Sequence, residues 1–365
     1  MVINRISILN FKNITETGLT FSPKINYLFG NNGMGKTNLM DALYYLSFTK
    51  SHTNLPDSRL IKQGAGYCVL QGFYTVAGGE EEIRCGFKLD GGKTFRRNKK
   101  EYERMSDHIG LIPLVMISPA DSRLIRGGSE ERRKFIDMVI SQYDKEYLRT
   151  LIRYNRTLQQ RNALLRDDIS TVNDPLLDVL DLQLASGSRM IHARRSEFTE
   201  KLIPVFKEYY GRISGGGETI DLRYESQLND NDVETLISSR REQDRRFGFT
   251  GVGVHKDDLQ FIFETGLVRK VGSEGQNKTC LIAIKLAQFH HLAGRGSVVP
   301  ILLLDDIFDS LDASRSEQTV RLASNLLSGQ VFITGTSRRH LDGILPVMDR
   351  DYKIFHVEDG KISES

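Results

Sequence analysis

Hydrophobic and polar residues alternate near the start of the chain, first in Ile3–Leu9 and again in Lys24–Phe29. A period of two residues is typical of strands. The intervening Asn10–Pro23 is rich in turn-forming residues and predicts a turn. Apolar residues at helical spacing then run through Asn38–Leu46. The pattern therefore predicts strand, turn, strand, glycine-rich loop and helix in that order.

Further strands are predicted downstream. Alternation from Tyr67 to Leu89, with glycine turn signals, indicates antiparallel strands. Leu114–Ile117 is a short apolar run that Ser118 and Pro119 end, and Val298–Leu304 and Gln330–Thr336 are also mostly apolar. Unbroken apolar runs of this kind are typical of central strands in a parallel sheet.

Between Glu130 and Gly211 the pattern is helical and predicts two long helices separated by a break at Asp167–Pro175. Each helix carries a seam of residues three and four apart. The first seam is Leu148, Leu151, Asn155, Leu158, Asn162 and Leu165, and the second is Leu177, Leu180, Leu184, Gly187, Ile191, Arg194 and Phe198. Two such seams predict an antiparallel helical hairpin, and we expect Asn155 and Asn162 to fix its register.

These elements predict an α/β fold with two domains, since 365 residues are too many for a single core. We expect a head domain, made of residues 1–128 plus 247–365, with an antiparallel β layer on its α/β core. An inserted helical arm occupies residues 129–246.

Composition adds little to this picture. Hydrophobic residues make up 39% of the chain, charged residues make up 27%, and the net charge is +3. The three cysteines lack metal-ligand spacing and fit a reducing compartment. No apolar window is long enough to span a membrane, and the N-terminal residues do not resemble a signal peptide. We therefore expect a cytoplasmic protein without a membrane partner.

The strongest chemical signal is a phosphate loop that matches G-x-x-x-x-G-K-[ST] at every fixed position. Its residues are Gly30, Asn31, Asn32, Gly33, Met34, Gly35, Lys36 and Thr37. Glycines bring backbone N–H groups against phosphates, and the following helix adds its N-terminal dipole. Lys36 supplies charge to the β- and γ-phosphates, and the Thr37 hydroxyl can bind Mg²⁺. The predicted ligands are ATP and Mg²⁺.

Two carboxylates end the predicted strand at Val298–Leu304. Asp305 is placed to hold Mg²⁺, as the aspartate of a Walker B motif does. Asp306 is placed to orient the attacking water. With Lys36, these two residues form the predicted catalytic set.

A further anion site is predicted at Ser273, Gly275 and Gln276, where an amphipathic helix from Gln276 to Ala293 begins. Alone, S-x-G-Q is a weak motif. Its position after a phosphate loop and before a Walker B strand makes it a strong signal.

Two basic clusters are candidates for DNA binding. The run from Lys93 to Lys100 has five cationic residues and no acidic one. A solvated hairpin and a contact to DNA phosphates are both open interpretations of this run. The candidates in the first cluster are Arg96, Arg97, Lys99 and Lys100, and those in the second are Arg240, Arg241, Arg245 and Arg246, which helical spacing would place on one face.

Together, the phosphate loop, the signature and the Walker B strand resemble those of the ABC ATPases. The long helical insertion between Lys36 and Ser273 is similar to the layout of SMC-type heads. With such a short arm, the whole chain most closely resembles the RecF family of bacterial recombination mediators. The segments that carry this resemblance are Phe11–Asn13, Gly30–Asn38, Ser118–Asp121, Gly127–Asp137, Gly253–Asp258 and Leu304–Asp306.

Three positions depart from the family pattern. Asn277 stands where a second glutamine is usual, and Val254 replaces a proline. Thr53 stands where the family usually has arginine, so a DNA or nucleotide contact expected there is in question. None of the three removes a predicted catalytic group.

The resemblance implies a protein of recombinational repair and replication restart, within the SOS response. Two chains would form a head-to-tail dimer around two ATP molecules, with Ser273 contacting the γ-phosphate held by the opposite chain. The dimer would bind double-stranded DNA near single-strand gaps, act with RecO and RecR, and help to load recombinase. A weak, DNA-stimulated ATPase would serve as the release switch. The alternatives are an ATPase subunit of a transporter and a small-molecule kinase.

Overall fold

The computed structural model describes residues 1–167, 175–295, 298–307, 318, 322, 329–336 and 351–365. Its strands are β1 (Val2–Phe11), β2 (Ile14–Thr20), β3 (Ile25–Phe29), β4 (Tyr67–Val76), β5 (Gly79–Lys88), β6 (Lys93–Arg97), β7 (Lys100–Glu101), β8 (Leu114–Ile117), β9 (Ile220–Glu225), β10 (Asp258–Phe263), β11 (Gly266–Leu267), β12 (Ile301–Leu304), β13 (Val331–Gly335), β14 (Tyr352–Glu358) and β15 (Lys361–Glu364). Its α-helices are α1 (Lys36–Phe48), α2 (Arg123–Arg126), α3 (Ser129–Ser141), α4 (Lys145–Leu165), α5 (Pro175–Ser214), α6 (Val233–Phe247), α7 (Val268–Val271) and α8 (Glu274–Arg295).

A mostly parallel sheet forms the core of the predicted nucleotide domain, in the order β15-β14-β3-β13-β12-β8. Strands β12 and β8 are buried along their whole length, as their unbroken apolar sequences predict. The carboxyl ends of parallel strands meet at one edge of the sheet. The phosphate loop after β3, the aspartates after β12 and the end of β13 therefore come together there.

The second large sheet is antiparallel, in the order β2-β1-β4-β5-β6-β7. Strands β4 and β5 lie in the middle of this sheet and correspond to the alternation predicted from Tyr67 to Leu89. A turn at Ala77 and Gly78 connects them. The prediction of a turn throughout Asn10–Pro23 is wrong, because β2 lies within this segment and pairs with β1. The signal was weak because only Ile14 and Leu19 of β2 are buried, and the remaining residues face outward or are partly exposed.

The arm contains the predicted antiparallel helical hairpin, formed by α4 and α5. A side-chain carbon added at Gly187 would lie 3.2 Å from the ring of Tyr154. Towards the far end of α4, Arg161 Nε donates to Asp181 Oδ1 at 2.6 Å. From Tyr154 to Arg161 the residue numbers on α4 rise, while those of their partners on α5 fall from Gly187 to Asp181. The two helices are therefore antiparallel. A third helix, α3, precedes them, and most of the predicted break at Asp167–Pro175 lies outside the described residues.

The buried face of α4 differs from the predicted seam. It consists of Tyr147, Tyr154, Thr157, Arg161 and Leu165. The prediction that two asparagines fix the hairpin register is wrong. Asn155 is exposed, and Asn162 Oδ1 accepts hydrogen bonds from the backbone N and Oγ1 of Thr250, outside the hairpin.

The buried face of α4 differs from the predicted one because α4 buries polar side chains that bind residues on other elements. A leucine pattern cannot reveal them, because tyrosine and arginine are usually counted as surface residues. On α5, Leu177, Leu180 and Leu184 are buried as predicted, along with Ile191 and Phe198. Arg194 is exposed and its neighbour Arg195 is buried instead, where it binds Asp137 and Asp257.

The chain forms two compact units. The first contains residues 1–122, 209–217 and 274–365, and the second contains 123–208 and 218–273. These bounds differ from the predicted ones, because residues 209–217 lie in the first unit and residues 247–273 lie in the second. The three-stranded sheet β11-β10-β9 accounts for the second difference, because β10 and β9 pair along six residues and hold that segment in the second unit. None of the described helices is long and apolar enough to cross a membrane.

Candidate functional site

The phosphate loop connects β3 to α1, and two of its glycines are required by local geometry. Gly33 and Gly35 have φ angles of +82° and +114°, which side-chain-bearing residues rarely adopt. A side-chain carbon at Gly35 would also lie 2.8 Å from the amide of Asn13. Helix α1 then begins at Lys36, so the loop leads directly into a helix N-terminus, as the motif predicts.

The middle of the loop is held by a residue that the sequence analysis did not assign to the site. Asn13 Nδ2 donates to the backbone oxygen of Met34 at 3.1 Å, and its Oδ1 accepts from Asn38 Nδ2 at 2.7 Å. The same oxygen of Met34 accepts from the backbone N of Gly360 at 2.9 Å. The turn between β1 and β2 and the hairpin of β14 and β15 thus support the loop from two directions.

Lys36 is buried, and its ammonium group points into the loop. Its Nζ donates to the carbonyl oxygens of Gly30 at 2.8 Å and Asn31 at 3.1 Å. Asn31, Asn32 and Gly33 are exposed, so the outer part of the loop is open. The site therefore offers a buried positive charge behind an exposed stretch of the loop.

The two halves of the predicted metal site meet. Thr37 Oγ1 donates to Asp305 Oδ1 at 3.2 Å across 268 positions of sequence. Thr334 lies at the end of β13. Its Oγ1 is 2.9 Å from Asp305 Oδ1 and 3.2 Å from Asp306 Oδ1. The backbone N of Asp306 donates to the same Oγ1 at 2.8 Å and helps to hold Asp306 at a φ of +47°.

Electrostatics at this point favour a bound cation. Burial, followed by the charge of Asp306, raises the pKa of Asp305 to about 6, while hydrogen bonds from Thr334 and Thr37 oppose the rise. A divalent ion would relieve the repulsion between the carboxylates. Hydroxyl and carboxylate oxygens are the donors that Mg²⁺ prefers, and a site with few protein ligands leaves room for substrate phosphates. The residues present therefore fit Mg²⁺, with Thr37 and Asp305 as the candidate ligands.

A cavity of about 230 Å³ opens beside these carboxylates. Thr37, Asp305 and Asp306 line it together with His52, Thr53 and Ser118. The last three come from the segment after α1 and the end of β8. The motif analysis had not placed His52 in the site.

Charged groups are closely paired behind this cavity. Asp41 of α1 lies 2.7 Å from Lys12 Nζ and accepts from the backbone N of His52, also at 2.7 Å. Asp121 lies 3.2 Å from His52 Nε2 and 2.8 Å from Lys285 Nζ of α8. Burial alone would raise the pKa of Asp121, but Lys285 and His52 outweigh burial and hold that pKa well below its ordinary value.

The signature segment lies at the start of a 22-residue helix. Helix α8 begins at Glu274, two residues before the predicted start, so Ser273 directly precedes it and Gly275 and Gln276 lie in its first turn. Ser273 is exposed, and Gly275 and Gln276 are partly exposed. This is the arrangement expected of an anion site at a helix N-terminus.

The first basic cluster forms a hairpin, in which β6 pairs with β7. Arg97 forms an ion pair with Glu81, and Arg96 NH2 lies 3.5 Å from Glu101. Lys99 and Lys100 are exposed at the turn and form no ion pair with any described residue. The two lysines are the candidates best placed for a contact to DNA phosphates.

The second cluster does not present one open basic face. Arg241 binds Asp178 at 2.5 Å and Asp181 at 2.6 Å, and Arg240 is partly buried. Arg246 is exposed, and Arg245 is partly exposed. The prediction took helical spacing as the only determinant of exposure. Instead, Asp178 and Asp181 of α5 bind the side chain of Arg241.

Comparison with known proteins supports this picture over the whole chain. The model of the RecF/RecN/SMC N-terminal domain family matches residues 2–363. A DNA replication and repair protein RecF from Azobacteroides pseudotrichonymphae is 55% identical over 364 residues and covers 100% of both chains. Its counterpart in Parabacteroides distasonis is 52% identical over 362 residues, or 99% of each chain.

Solved structures give the same result. The recombination mediator protein RecF in the RecFOR pathway, solved with ATP, matches with a TM-score of 0.89 and 28% identity, over 100% of this chain and 97% of that one. The Smc head domain from Pyrococcus furiosus, bound to part of ScpA, matches with a TM-score of 0.58 and 17% identity, over 100% and 96%. The second match supports the shared head fold alone.

Proposed function

Because the chain belongs to the RecF family of DNA replication and repair proteins, we propose that it is an ATP-dependent DNA-binding protein of recombinational repair. In this proposal, ATP joins two chains head to tail, and the dimer binds double-stranded DNA beside single-strand gaps. RecO and RecR are its partners in loading recombinase, and the protein works in the cytoplasm. Slow, DNA-stimulated hydrolysis of ATP releases the DNA.

The hydrogen bond between Thr37 and Asp305 is the observation that carries the proposal. It joins the phosphate loop to the Walker B strand at the position where a nucleotide-bound Mg²⁺ is held in phosphate-loop ATPases. Bound Mg²⁺ neutralises negative charge on the β- and γ-phosphates. Lys36 adds a fixed positive charge to the same phosphates, and Asp306 accepts a hydrogen bond from the attacking water.

The signature segment supports the dimer. Ser273 stands exposed at the start of α8, with Gly275 and Gln276 in the first turn. Their N–H groups and hydroxyl suit the γ-phosphate of an ATP held by a second chain. An ATP molecule contacted from both sides would itself supply much of the association energy, which makes the dimer depend on nucleotide.

The exposed lysines of the first basic cluster support DNA binding. Lys99 and Lys100 suit the phosphate backbone and offer no base readout, so we expect binding to be independent of sequence. Dimerisation doubles the number of such cations. DNA affinity would therefore depend on ATP as well as on salt.

The two alternatives are less well supported. A transporter ATPase subunit does not need the helical arm, and the relatives reported above are DNA repair proteins over the whole length of the chain. A small-molecule kinase has no use for the segment at Ser273. A phosphoacceptor added in excess distinguishes a kinase from the proposed ATPase. A kinase would phosphorylate the acceptor, whereas this protein would release inorganic phosphate.

Sedimentation velocity with and without ATP and Mg²⁺ tests the proposal. The native protein should change from monomer to dimer when ATP is added. The Lys36→Met variant should bind ATP poorly and remain monomeric. The Ser273→Arg variant should bind ATP with nearly native affinity and also remain monomeric. Dimers of Ser273→Arg that persist with ATP would contradict the composite site, and native ATP affinity in a folded Lys36→Met protein would contradict the nucleotide site itself.

A further inference from the structure

His52 is held firmly at the edge of the cavity beside the Walker B aspartates. Its backbone N donates to Asp41 Oδ1 at 2.7 Å, and its ring meets the ring of Tyr44 edge-on with centroids 4.9 Å apart. Its Nε2 lies 3.2 Å from Asp121 Oδ1. A carboxylate accepts hydrogen bonds, so Nε2 carries the proton in this pair. Only 10% of the side chain is exposed.

The other ring nitrogen of His52 has no hydrogen-bond partner among the residues that the structure describes. With the proton on Nε2, Nδ1 of the neutral ring is an acceptor. His52 lines the same cavity as Thr37, Asp305 and Asp306. In its neutral form, His52 thus brings an acceptor without a described partner to the residues that line this cavity.

We propose that His52 is a further catalytic residue for ATP hydrolysis, whose Nδ1 accepts a proton from the attacking water. The proposal rests on the ATPase function proposed above. A water molecule has two O–H groups, and Asp306 and His52 would accept one each. Two acceptors fix the orientation of the water and so direct its oxygen lone pairs, and this orientation is what general-base catalysis requires.

The step balances with the groups present in the site. The water oxygen forms a bond to the γ-phosphorus, while the bond from that phosphorus to the β,γ-bridging oxygen breaks. The electron pair of the broken bond stays on the bridging oxygen, which becomes part of ADP. One water proton passes to Nδ1 of His52 and later leaves to solvent, and the other remains with inorganic phosphate.

Asp121 is a positioning residue in this proposal. It fixes the ring of His52 through Nε2 and stabilises the imidazolium that forms, in the way a buried aspartate orients a catalytic histidine. Its Oδ2 accepts from the backbone N of Ser118 at 2.9 Å, and Lys285 Nζ, which is only 4% exposed, lies 2.8 Å from its Oδ1. These contacts keep Asp121 ionised and fix its carboxylate.

Single-turnover hydrolysis and ATP affinity should be measured together for native protein, His52→Ala, His52→Gln and Asp121→Asn. General-base catalysis contributes about 10²- to 10⁴-fold. We expect His52→Ala to slow hydrolysis by roughly a hundredfold while the Kd for ATP changes less than threefold. His52→Gln keeps a hydrogen-bond acceptor but cannot take the proton, so its hydrolysis rate should lie between those of the native protein and His52→Ala. Asp121→Asn should slow hydrolysis about tenfold or more with the same small effect on Kd.

Ser51→Ala is the matched control. Ser51 Oγ donates to Asp41 at 2.7 Å, so this variant disturbs the same segment and leaves the imidazole in place. Its hydrolysis rate should stay within threefold of native. Imidazole added in solution should restore part of the hydrolysis rate of His52→Ala and none of the rate of Asp306→Asn. If the role of His52 were purely structural, imidazole would not restore the rate of His52→Ala.

Three results would overturn the proposal. One is a hydrolysis rate of His52→Ala within threefold of native. The second is a weakened Kd with an unchanged rate, which would make His52 a phosphate-binding group. The third is an equal loss in Ser51→Ala, which would assign the effect to the segment. Failure of the ATPase function would look different, because the native protein itself would then release no phosphate.

Discussion

A side-chain carbon added to Gly30 would lie 2.2 Å from the carbonyl oxygen of Val357. Val357 belongs to β14, which pairs with β3 immediately before the phosphate loop. Backbone meets backbone here, so the neighbour cannot rotate away. We expect Gly30→Ala to lower the free energy of unfolding by about 1–3 kcal/mol, the usual cost of overpacking, and to weaken ATP binding. Urea unfolding and nucleotide titration would measure the two effects.

Gly66 provides the control for this prediction. A carbon added there meets no atom within 4 Å, so Gly66→Ala should change stability by less than about 0.5 kcal/mol. If Gly30→Ala were as stable as Gly66→Ala, β14 would not press on the phosphate loop as the structure indicates.

Replacing the hydroxyl of Thr37 tests the metal site. Thr37→Val keeps the shape of the side chain and removes the oxygen that contacts Asp305. We expect the Mg²⁺ concentration for half-maximal ATP hydrolysis to rise roughly tenfold or more, because one of the two proposed protein ligands is lost. Thr37→Ser retains the hydroxyl and should behave like the native protein. An unchanged Mg²⁺ requirement in Thr37→Val would remove Thr37 from the metal site.

The main parts of this site could be predicted from the sequence because each is a local pattern. The phosphate loop follows a strand and precedes a helix, and Asp305 ends an unbroken apolar run. Asn13 and His52 could not be assigned in this way, since their roles depend on Met34 and Asp121, which are distant in sequence. Only the folded chain shows those contacts.

The arm shows the same limit on a larger scale. Its helical hairpin could be predicted from periodicity, but the rotation of α4 could not. Arg161 is fully buried because Asp181 and Asp244 neutralise it, and no periodicity marks a residue whose partners lie on other helices. For the same reason, the pairing of Arg241 with Asp178 could not be predicted from a run of arginines.

Arg161 should therefore be important for the stability of the arm. Replacing it with methionine keeps most of the volume but leaves the buried Asp244 without a cation among the described residues, while Asp181 keeps its pair with Arg241. Breaking a buried pair in this way costs about 3–5 kcal/mol. Urea unfolding of Arg161→Met should show a loss of this size. Arg189→Ala is the control, because its pair with Glu234 is exposed, and its unfolding midpoint should match native. Equal midpoints for both variants would contradict the structural role of Arg161.

His255 should make the stability sensitive to acid. Burial lowers its pKa from the ordinary 6.5 to about 4. Its Nε2 donates to the Thr250 carbonyl oxygen at 2.9 Å and its Nδ1 accepts from the Tyr154 hydroxyl at 2.8 Å, so the neutral ring is fully bonded. Between pH 6.5 and 4 the unfolded chain binds more protons than the folded protein. Stability is therefore complete above pH 6.5 and falls as the pH is lowered through this window, by roughly 3 kcal/mol in total.

The measurement is urea unfolding at several pH values between 4 and 7. His255→Gln should remove most of the fall across the window, although it lowers stability at pH 7 through the altered hydrogen bonds. His290→Gln, which changes an exposed histidine of α8, should retain the native slope. A native slope in His255→Gln would show that other groups cause the acid sensitivity.

The last prediction separates the four cations of the first basic cluster. Arg96 and Arg97 are already paired with glutamates, whereas Lys99 and Lys100 stand at the turn without an ion pair in the described part of the chain. DNA phosphates should therefore meet the lysines. In the Lys99→Ala, Lys100→Ala double variant, the salt slope of duplex binding with ATP should fall by about 0.9 for each lost phosphate contact, equally for duplexes of different sequence. The matched Arg96→Ala, Arg97→Ala variant should keep the native slope, because an arginine bound to glutamate releases no counterion until that pair opens. Fluorescence anisotropy at several salt concentrations measures both. A larger change in the arginine variant would mean that DNA displaces the glutamates, and an unchanged slope in both would move the DNA surface to another part of the molecule, first to the exposed Arg246.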